Sequence, residues 1–126
     1  MNLLPFDAMP AHKPRRFVPE QIDLGDWAQI APLLDQLQSR AAQCKTAADL
    51  EGWLLDWSEL NAALDEESSK RYIAMTCHTD NTDAEKAYLY FVEKIDPELK
   101  PRQFELEKTY LRRRDDLRES QNKSNG

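Results

Sequence analysis

Residues 46–64, with the sequence TAADLEGWLLDWSELNAAL, determine the fold class of this chain. Thr46 is placed to cap the free N–H groups of a first helical turn, and Asp49 occupies the position of a capping-box acid. Each tryptophan in the stretch can bury roughly 150–250 Å², so this helix needs a partner for its apolar side. The residues on that side recur at helical spacing and are Leu50, Trp53, Leu54, Trp57, Leu60 and Leu64.

The composition indicates a single all-α domain. The chain has 126 residues, of which 40% are hydrophobic and 32% are charged, and a chain of this length can bury a modest core. Glycine occurs only three times, so tight turns between strands lack their usual residue. We predict an antiparallel array of about five helices joined by short connections.

Proline and polar residues divide the chain into three parts. Residues 1–25 are rich in proline, which blocks helix and favours an extended arm. Residues 26–119 carry the helical patterns and are the predicted helical domain. Residues 120–126 are polar and are predicted to form a frayed tail.

The first three helices are predicted from capping signals and apolar spacing. Asp26 is a plausible N-cap for the first helix, in which Pro32 should produce a kink or delay the regular start. The second helix is the one described above and should end near Glu66. Ser68 or Ser69 should then begin a short third helix.

Two further helices are predicted in the second half of the chain. Thr82 followed by Glu85 is a full capping box, so a fourth helix should begin there. Asp96-Pro97 is typical of an N-cap followed by the first helical position, so it should begin the fifth helix. Pro101 lies in the first turn of that helix or just beyond it, which predicts a kinked or delayed start.

The charge of the chain argues against nucleic-acid binding. The net charge is −6, whereas phosphate binding requires concentrated positive charge. Arg112, Arg113 and Arg114 form a basic run, but Asp115 and Asp116 follow at once. We therefore expect this run to be a solvated helix surface.

The sequence also predicts no membrane span and a reducing location. No apolar run approaches the roughly 18 residues that a transmembrane helix needs. Residues 1–10 lack a basic stretch followed by a long apolar core, so no secretory signal is expected. Cys44 and Cys77 lie on different predicted helices and are expected to stay reduced, which favours a cytoplasmic protein.

No catalytic, cofactor or metal site is predicted. Cys77, His78, Asp80 and Asp83 lie close together in the sequence, but neighbouring residues on a helix face different directions, and the acids suit turn and capping roles. The large apolar residues suggest a packing interface instead. The candidate interface residues are Trp27, Trp53, Trp57, Leu60, Tyr88 and Phe91.

An ordered set of short motifs connects the chain with a known family. The strongest run is YIAMTC at residues 72–77, and it is continued by Thr79-Asp80-Asn81. The whole set resembles the N-terminal helical region of the oligoendopeptidase F and thimet oligopeptidase family of zinc metallopeptidases. Its other members are Arg16-Phe17-Val18-Pro19, Asp26-Trp27, Asp49-Leu50-Glu51, Trp53-Leu54, Ser58-Glu59-Leu60, Ala84, Ala87-Tyr88, Phe91, Ile95-Asp96-Pro97, Leu99 and Lys100-Pro101.

The resemblance implies a helical wall of a substrate channel rather than a catalytic centre. That family holds zinc with a His-Glu-x-x-His helix and a distant glutamate, whereas this chain has only His12 and His78 and no such motif. Zinc is therefore expected only in a full-length relative, and this chain is expected to be non-catalytic.

The partner implied by the resemblance is a missing catalytic domain, or another protein held through the apolar helix faces, with self-association as a further expectation. A free-standing helical interaction module derived from such a peptidase is the alternative. The polar sequence after Leu111 departs from the family pattern and leaves the nature of this ending open.

Overall fold

The computed structural model describes residues 17–77 and 82–125, which form three helical rods. No strand occurs within these ranges, so the all-α prediction is confirmed, but the count of about five helices is wrong. The elements are α1 (Trp27–Gln43), α2 (Ala47–Cys77), α3 (Thr82–Tyr90), a π-helical segment (Phe91–Ile95) and α4 (Asp96–Asn125). The π segment joins α3 and α4 into one continuous rod.

Helix α1 begins where its capping residue predicts. The Asp26 carboxylate accepts a 3.0 Å hydrogen bond from the Ala28 N–H, which satisfies one of the donors left free at a helix start. The helix runs from Trp27 through Pro32 without interruption. The predicted alternative of a delayed start after Pro32 is therefore wrong.

Helix α2 is much longer than predicted. The Asp49 N–H donates to Thr46 Oγ1 at 3.1 Å, and the Asp49 carboxylate accepts from the Lys45 N–H at 3.0 Å, so the predicted cap is confirmed. The predicted break between Glu66 and Ser68 is wrong because the helix continues to Cys77. Serine weakens a helix interior only slightly, and residues 65–77 contain neither glycine nor proline to end the helix.

The predicted start of a fifth helix at Asp96-Pro97 is also wrong. Asp96 has helical backbone angles, and its N–H donates to the Phe91 carbonyl five residues earlier. In a regular helix the Pro97 ring would clash with the carbonyl of Glu93, and the wider π turn lies directly before that position. The chain therefore passes the proline without stopping.

The two ends of the described chain also differ from the predictions. Residues 17–25 form turns rather than an extended arm, since the Ile22 N–H donates to the Pro19 carbonyl. The N–H groups of Phe17 and Val18 both donate to the Glu59 carboxylate, at 3.3 and 2.8 Å. Residues 1–16 of the predicted arm lie outside the described residues. At the other end, helix α4 continues through Asn125 instead of fraying from residue 120.

Contacts between the rods define their directions. Helix α4 is parallel to α1, because Asp35 pairs with Arg102 and Gln38 with Thr109. It is antiparallel to α2, because Asn61 bonds to Gln103 while Trp53, eight residues earlier, stacks on Tyr110. Helices α1 and α2 are therefore antiparallel to each other, as in a bundle of three rods with short connections. Two further contacts link α1 and α2, and these are Arg40–Asp56 and Trp53–Leu37.

The core lies where all three rods meet. None of its buried side chains is polar or charged within the described part of the chain, as expected for a core held by apolar burial. It contains Val18, Leu24, Ile30, Leu33, Leu34, Leu37, Ala41, Cys44, Leu50, Trp53, Leu60, Ala63, Leu64, Phe91, Ile95, Leu99 and Leu106. None of the described helices has the length and apolar character of a membrane span.

Candidate docking surfaces

The predicted packing residues point mainly into the chain's own core. Trp53, Leu60 and Phe91 are buried, and Trp27 and Trp57 are partly buried against them. Tyr88 is only half-buried and contacts Tyr72 with their ring centres 5.5 Å apart. The apolar side of α2 thus finds its partner within the same chain.

Trp53 shows how completely that side is covered. Its indole N–H donates a 2.7 Å hydrogen bond to the Leu37 carbonyl of α1. Its ring stacks on Tyr110 of α4 at 5.8 Å with an angle of 6° between the planes, and it also contacts Trp57 at 5.4 Å. One side chain therefore connects all three rods.

Within residues 17–77 and 82–121, the titratable groups form no metal-binding cluster, and two of them at the α1–α2 junction have shifted pKa values. No group of three or more His, Cys, Asp or Glu side chains there could hold a metal ion. Hydrogen bonds from the Lys45 N–H and from Thr46 lower the pKa of Asp49. Burial raises the pKa of the Cys44 thiol, which disfavours the nucleophilic thiolate. His12, His78 and Asp80 lie outside the described residues.

The far end of the α2–α3 hairpin exposes large apolar side chains. Beyond Leu64, no described residue of α2 is buried, and Ala84 is the buried residue of α3. We call the exposed set the hairpin patch; its members are Tyr72, Ile73, Leu89 and Tyr90, which are 51%, 57%, 41% and 45% exposed. Isolated surface hydrophobics are ordinary, but several large ones on one protruding hairpin suggest a contact surface.

Arg71 holds this hairpin in place. Its guanidinium pairs with Glu67 at 2.8 Å and donates a 2.8 Å hydrogen bond to the Ala87 carbonyl of α3. It also lies over the Phe91 ring, 5.3 Å from the ring centre. Arg71 therefore fixes the position of α3 relative to α2, and with it the hairpin patch. No local sequence pattern predicted this role.

Helix α4 carries a second apolar stripe on its outer side. Phe104 is 59% exposed and Leu111 is 40% exposed, although Leu106 between them is buried. The seven-residue spacing of Phe104 and Leu111 puts them on one helix face, opposite the face of Leu106. Their seven-residue spacing in the sequence was the signal that could have indicated this separate outer stripe.

A groove lies between the start of α2 and the end of α4. Its volume is about 580 Å³, which is within the usual range for ligand pockets. We call it the terminal groove. Its apolar side chains are Leu50, Leu54, Tyr110 and Leu117, and its charged side chains are Lys45, Glu51, Arg114 and Arg118.

The basic run beside this groove is not simply a solvated surface. Arg113 donates from Nε and from Nη2 to the carbonyl of Cys44, the residue that follows α1. It thereby satisfies a carbonyl at a helix end, where such groups lack helical partners. The solvated-surface prediction is wrong for Arg113, while Arg112 is exposed. This long-range contact leaves no signal in the local sequence.

Comparison with known families accounts for nearly the whole described chain. Residues 17–123 match the family model described as Peptidase M3 N-terminal domain. This match spans α1, α2, α3, the π segment and most of α4. No curated protein and no solved structure matches the chain.

Proposed function

The chain belongs to the family of M3 peptidase N-terminal domains, and from this premise we propose that it is a helical scaffold that packs onto a catalytic domain and hydrolyses no peptide by itself. The match over residues 17–123 carries the proposal. The sequence supports the non-catalytic part, since it contains only two histidines and no His-Glu-x-x-His motif. In an oligoendopeptidase-like parent, zinc would be held by the catalytic part, and these helices would line the substrate channel.

Two exposed surfaces support the docking role. The core of the three rods is already closed around Trp53, so the hairpin patch and the outer stripe of α4 are not needed for folding. Large apolar side chains that remain exposed outside a closed core are typical of protein contact sites. The catalytic domain would cover the hairpin patch, which Arg71 positions.

The non-catalytic part is tested with the purified chain and quenched fluorescent peptides in the presence of zinc. We expect no hydrolysis above the blank. Zinc-dependent cleavage that stays with the protein through stringent purification would overturn this part of the proposal.

The docking part is tested with the separately expressed catalytic portion of an M3 peptidase from which its own N-terminal region has been removed. Size-exclusion chromatography should show a complex with the full chain. The double variant Ile73→Ser/Leu89→Ser should weaken the complex, because it removes apolar surface from the hairpin patch. Leu55→Ser is the matched control, since Leu55 is 67% exposed on α2 outside the patch. Equal binding by both variants would rule out the hairpin patch.

A second candidate is a free-standing interaction module derived from such a peptidase. The closed core favours it, because Trp53 finds its hydrogen-bond and stacking partners within the chain. Sedimentation and thermal unfolding distinguish the two candidates. A compact monomer with a sharp transition would favour the module, whereas self-association or binding of an apolar dye would favour a scaffold without its partner.

A cytoplasmic location remains part of the proposal. It is supported by the two cysteines, since Cys44 is buried and Cys77 is exposed and both are free thiols. Free thiols are usual in a reducing compartment. The absence of nucleic-acid binding likewise stays a prediction from the net charge of −6.

A further inference from the structure

The terminal groove combines an apolar lining with mostly positive charges. Leu50, which is buried in the core, lines the groove together with Leu54, Tyr110 and Leu117. Such a lining offers burial to incoming apolar side chains. The groove lies at the opposite end of α2 from the hairpin patch, and Phe104 and Leu111 of the outer stripe do not line it, so the docking role proposed above does not use it.

The charges around the groove favour a negatively charged occupant. Lys45, Arg114 and Arg118 line it, and Glu51 is the single acid in the lining. This bias stands out in a chain whose net charge is −6. The local potential, rather than the net charge, determines which ligand is attracted to a cleft.

Arg114 is available to such an occupant. One of its terminal nitrogens lies 3.4 Å from Asp115 Oδ1 in an exposed pair, and exposed pairs of this kind contribute little. Its Nε is buried and has no acceptor in the described part of the chain. The buried Nε is closed to a ligand, but the terminal nitrogens lie on the exposed part of the side chain. Two terminal nitrogens of a planar guanidinium are suited to bind a carboxylate through two parallel hydrogen bonds.

We propose that the terminal groove binds a peptide segment of another polypeptide that carries carboxylates next to bulky apolar residues. The apolar side chains lie on Leu54, Tyr110 and Leu117, and a carboxylate pairs with Arg114 and Arg118. A basic or purely apolar segment lacks the charge complementarity that this arrangement offers. This interaction goes beyond the proposed scaffold role and does not depend on it.

The test uses three fluorescein-labelled peptides in which leucine alternates with glutamate, glutamine or lysine. Fluorescence anisotropy measures their binding to the full chain. The glutamate peptide should bind with saturation and at least about tenfold more tightly than the glutamine peptide, because charge-assisted hydrogen bonds are stronger than neutral ones. Its affinity should fall with added salt, and the lysine peptide should bind weakest.

The double variant Arg114→Gln/Arg118→Gln should weaken binding of the glutamate peptide by at least about tenfold. Arg112→Gln is the matched control: it removes the same charge from an exposed residue outside the groove and should change binding by no more than about twofold. Circular dichroism checks that each variant is folded, and the single variant Arg118→Gln, at an exposed position, should show the same direction of effect.

Several results would overturn the proposal. These are equal affinity for the glutamate and glutamine peptides, equal loss in the Arg112→Gln control, and absence of saturable binding. Self-association that disappears in the Arg114→Gln/Arg118→Gln variant would also overturn it, since a second copy of the chain would then be the occupant.

Discussion

The indole N–H of Trp53 lies 2.7 Å from the backbone carbonyl oxygen of Leu37, and both side chains are buried. This hydrogen bond fixes the register between α1 and α2. It also gives a buried donor the partner that it needs. Trp53 also stacks on Tyr110 of α4, so a single residue contacts all three rods.

Trp53→Ala should destabilise the fold strongly. The change removes a large buried ring and leaves a cavity, and substitutions of this type lower the free energy of unfolding by about 3–5 kcal/mol. Urea unfolding followed by circular dichroism measures the effect. Leu55→Ser is the control on the exposed side of α2 and should change the free energy by no more than about 0.5 kcal/mol. Similar losses in the two variants would contradict this account of the core.

The two glycines of the described chain should respond oppositely to alanine. A Cβ on Gly25 would overlap with the Arg71 guanidinium, which Glu67 and Ala87 hold in place. Gly25→Ala should therefore lower the free energy of unfolding by about 1–3 kcal/mol as these hydrogen bonds are disturbed.

Gly52→Ala is the matched partner of that variant. Nothing lies within 4 Å of a Cβ at Gly52, and the residue is inside α2. Because glycine weakens a helix interior, this variant should gain about 0.5–1 kcal/mol. Thermal unfolding of both variants gives the comparison, and changes of the same sign would contradict the assigned roles.

Arg113→Gln should destabilise the junction after α1. The substitution removes two hydrogen bonds to the Cys44 carbonyl, with an expected loss of about 1–3 kcal/mol in the free energy of unfolding. Opening of this junction should also speed alkylation of the Cys44 thiol, which is buried in the intact protein. Arg112→Gln is the control, because Arg112 is exposed. If both variants protect Cys44 equally, Arg113 has no capping role.

The N-terminal cap of α2 should make stability depend on acidic pH. Hydrogen bonds from the Lys45 N–H and from Thr46 hold the pKa of Asp49 below its ordinary value of 3.8. A group with a lowered folded-state pKa stabilises the protein above its unfolded pKa, and this contribution is lost as the pH falls through the folded value.

Asp49→Asn tests this dependence. It should be less stable than the wild type at neutral pH, and the difference should shrink as the pH falls below 3.8. Denaturant unfolding over a pH series provides the measurement. Asp65→Asn, at an exposed position of the same helix, controls for the loss of one carboxylate. A difference from wild type that stays constant over the series would count against the cap.

The positions of helix starts were predictable where short-range chemistry sets them. Asp26 and Thr46 cap the helices that they were expected to cap, since a cap involves neighbours within a few residues. The predicted breaks in the helices, with new starts at Ser68 and Asp96, failed for the same reason. Nothing local at Ser68 or Asp96 shows that packing against other rods carries the helix past them.

The candidate surfaces were predicted less well than the helices. Helical spacing identified Trp53 and Leu60 as apolar packing residues, and the structure buries both. It could not identify the terminal groove, because the groove joins residues of α2 with residues of α4 that are far apart in the chain. Nor could it show that Ile73 stays exposed on a hairpin that extends beyond the core.

The order of residues alone was thus enough to specify an all-helical chain, its capped starts and its M3 peptidase relationship, because these rest on local hydrogen bonds and on recurring short motifs. The packing of the three rods decided which apolar side chains are covered and what Arg71 and Arg113 bind. Burial and contacts between distant residues depend on how whole elements meet in space, and no local pattern encodes that geometry.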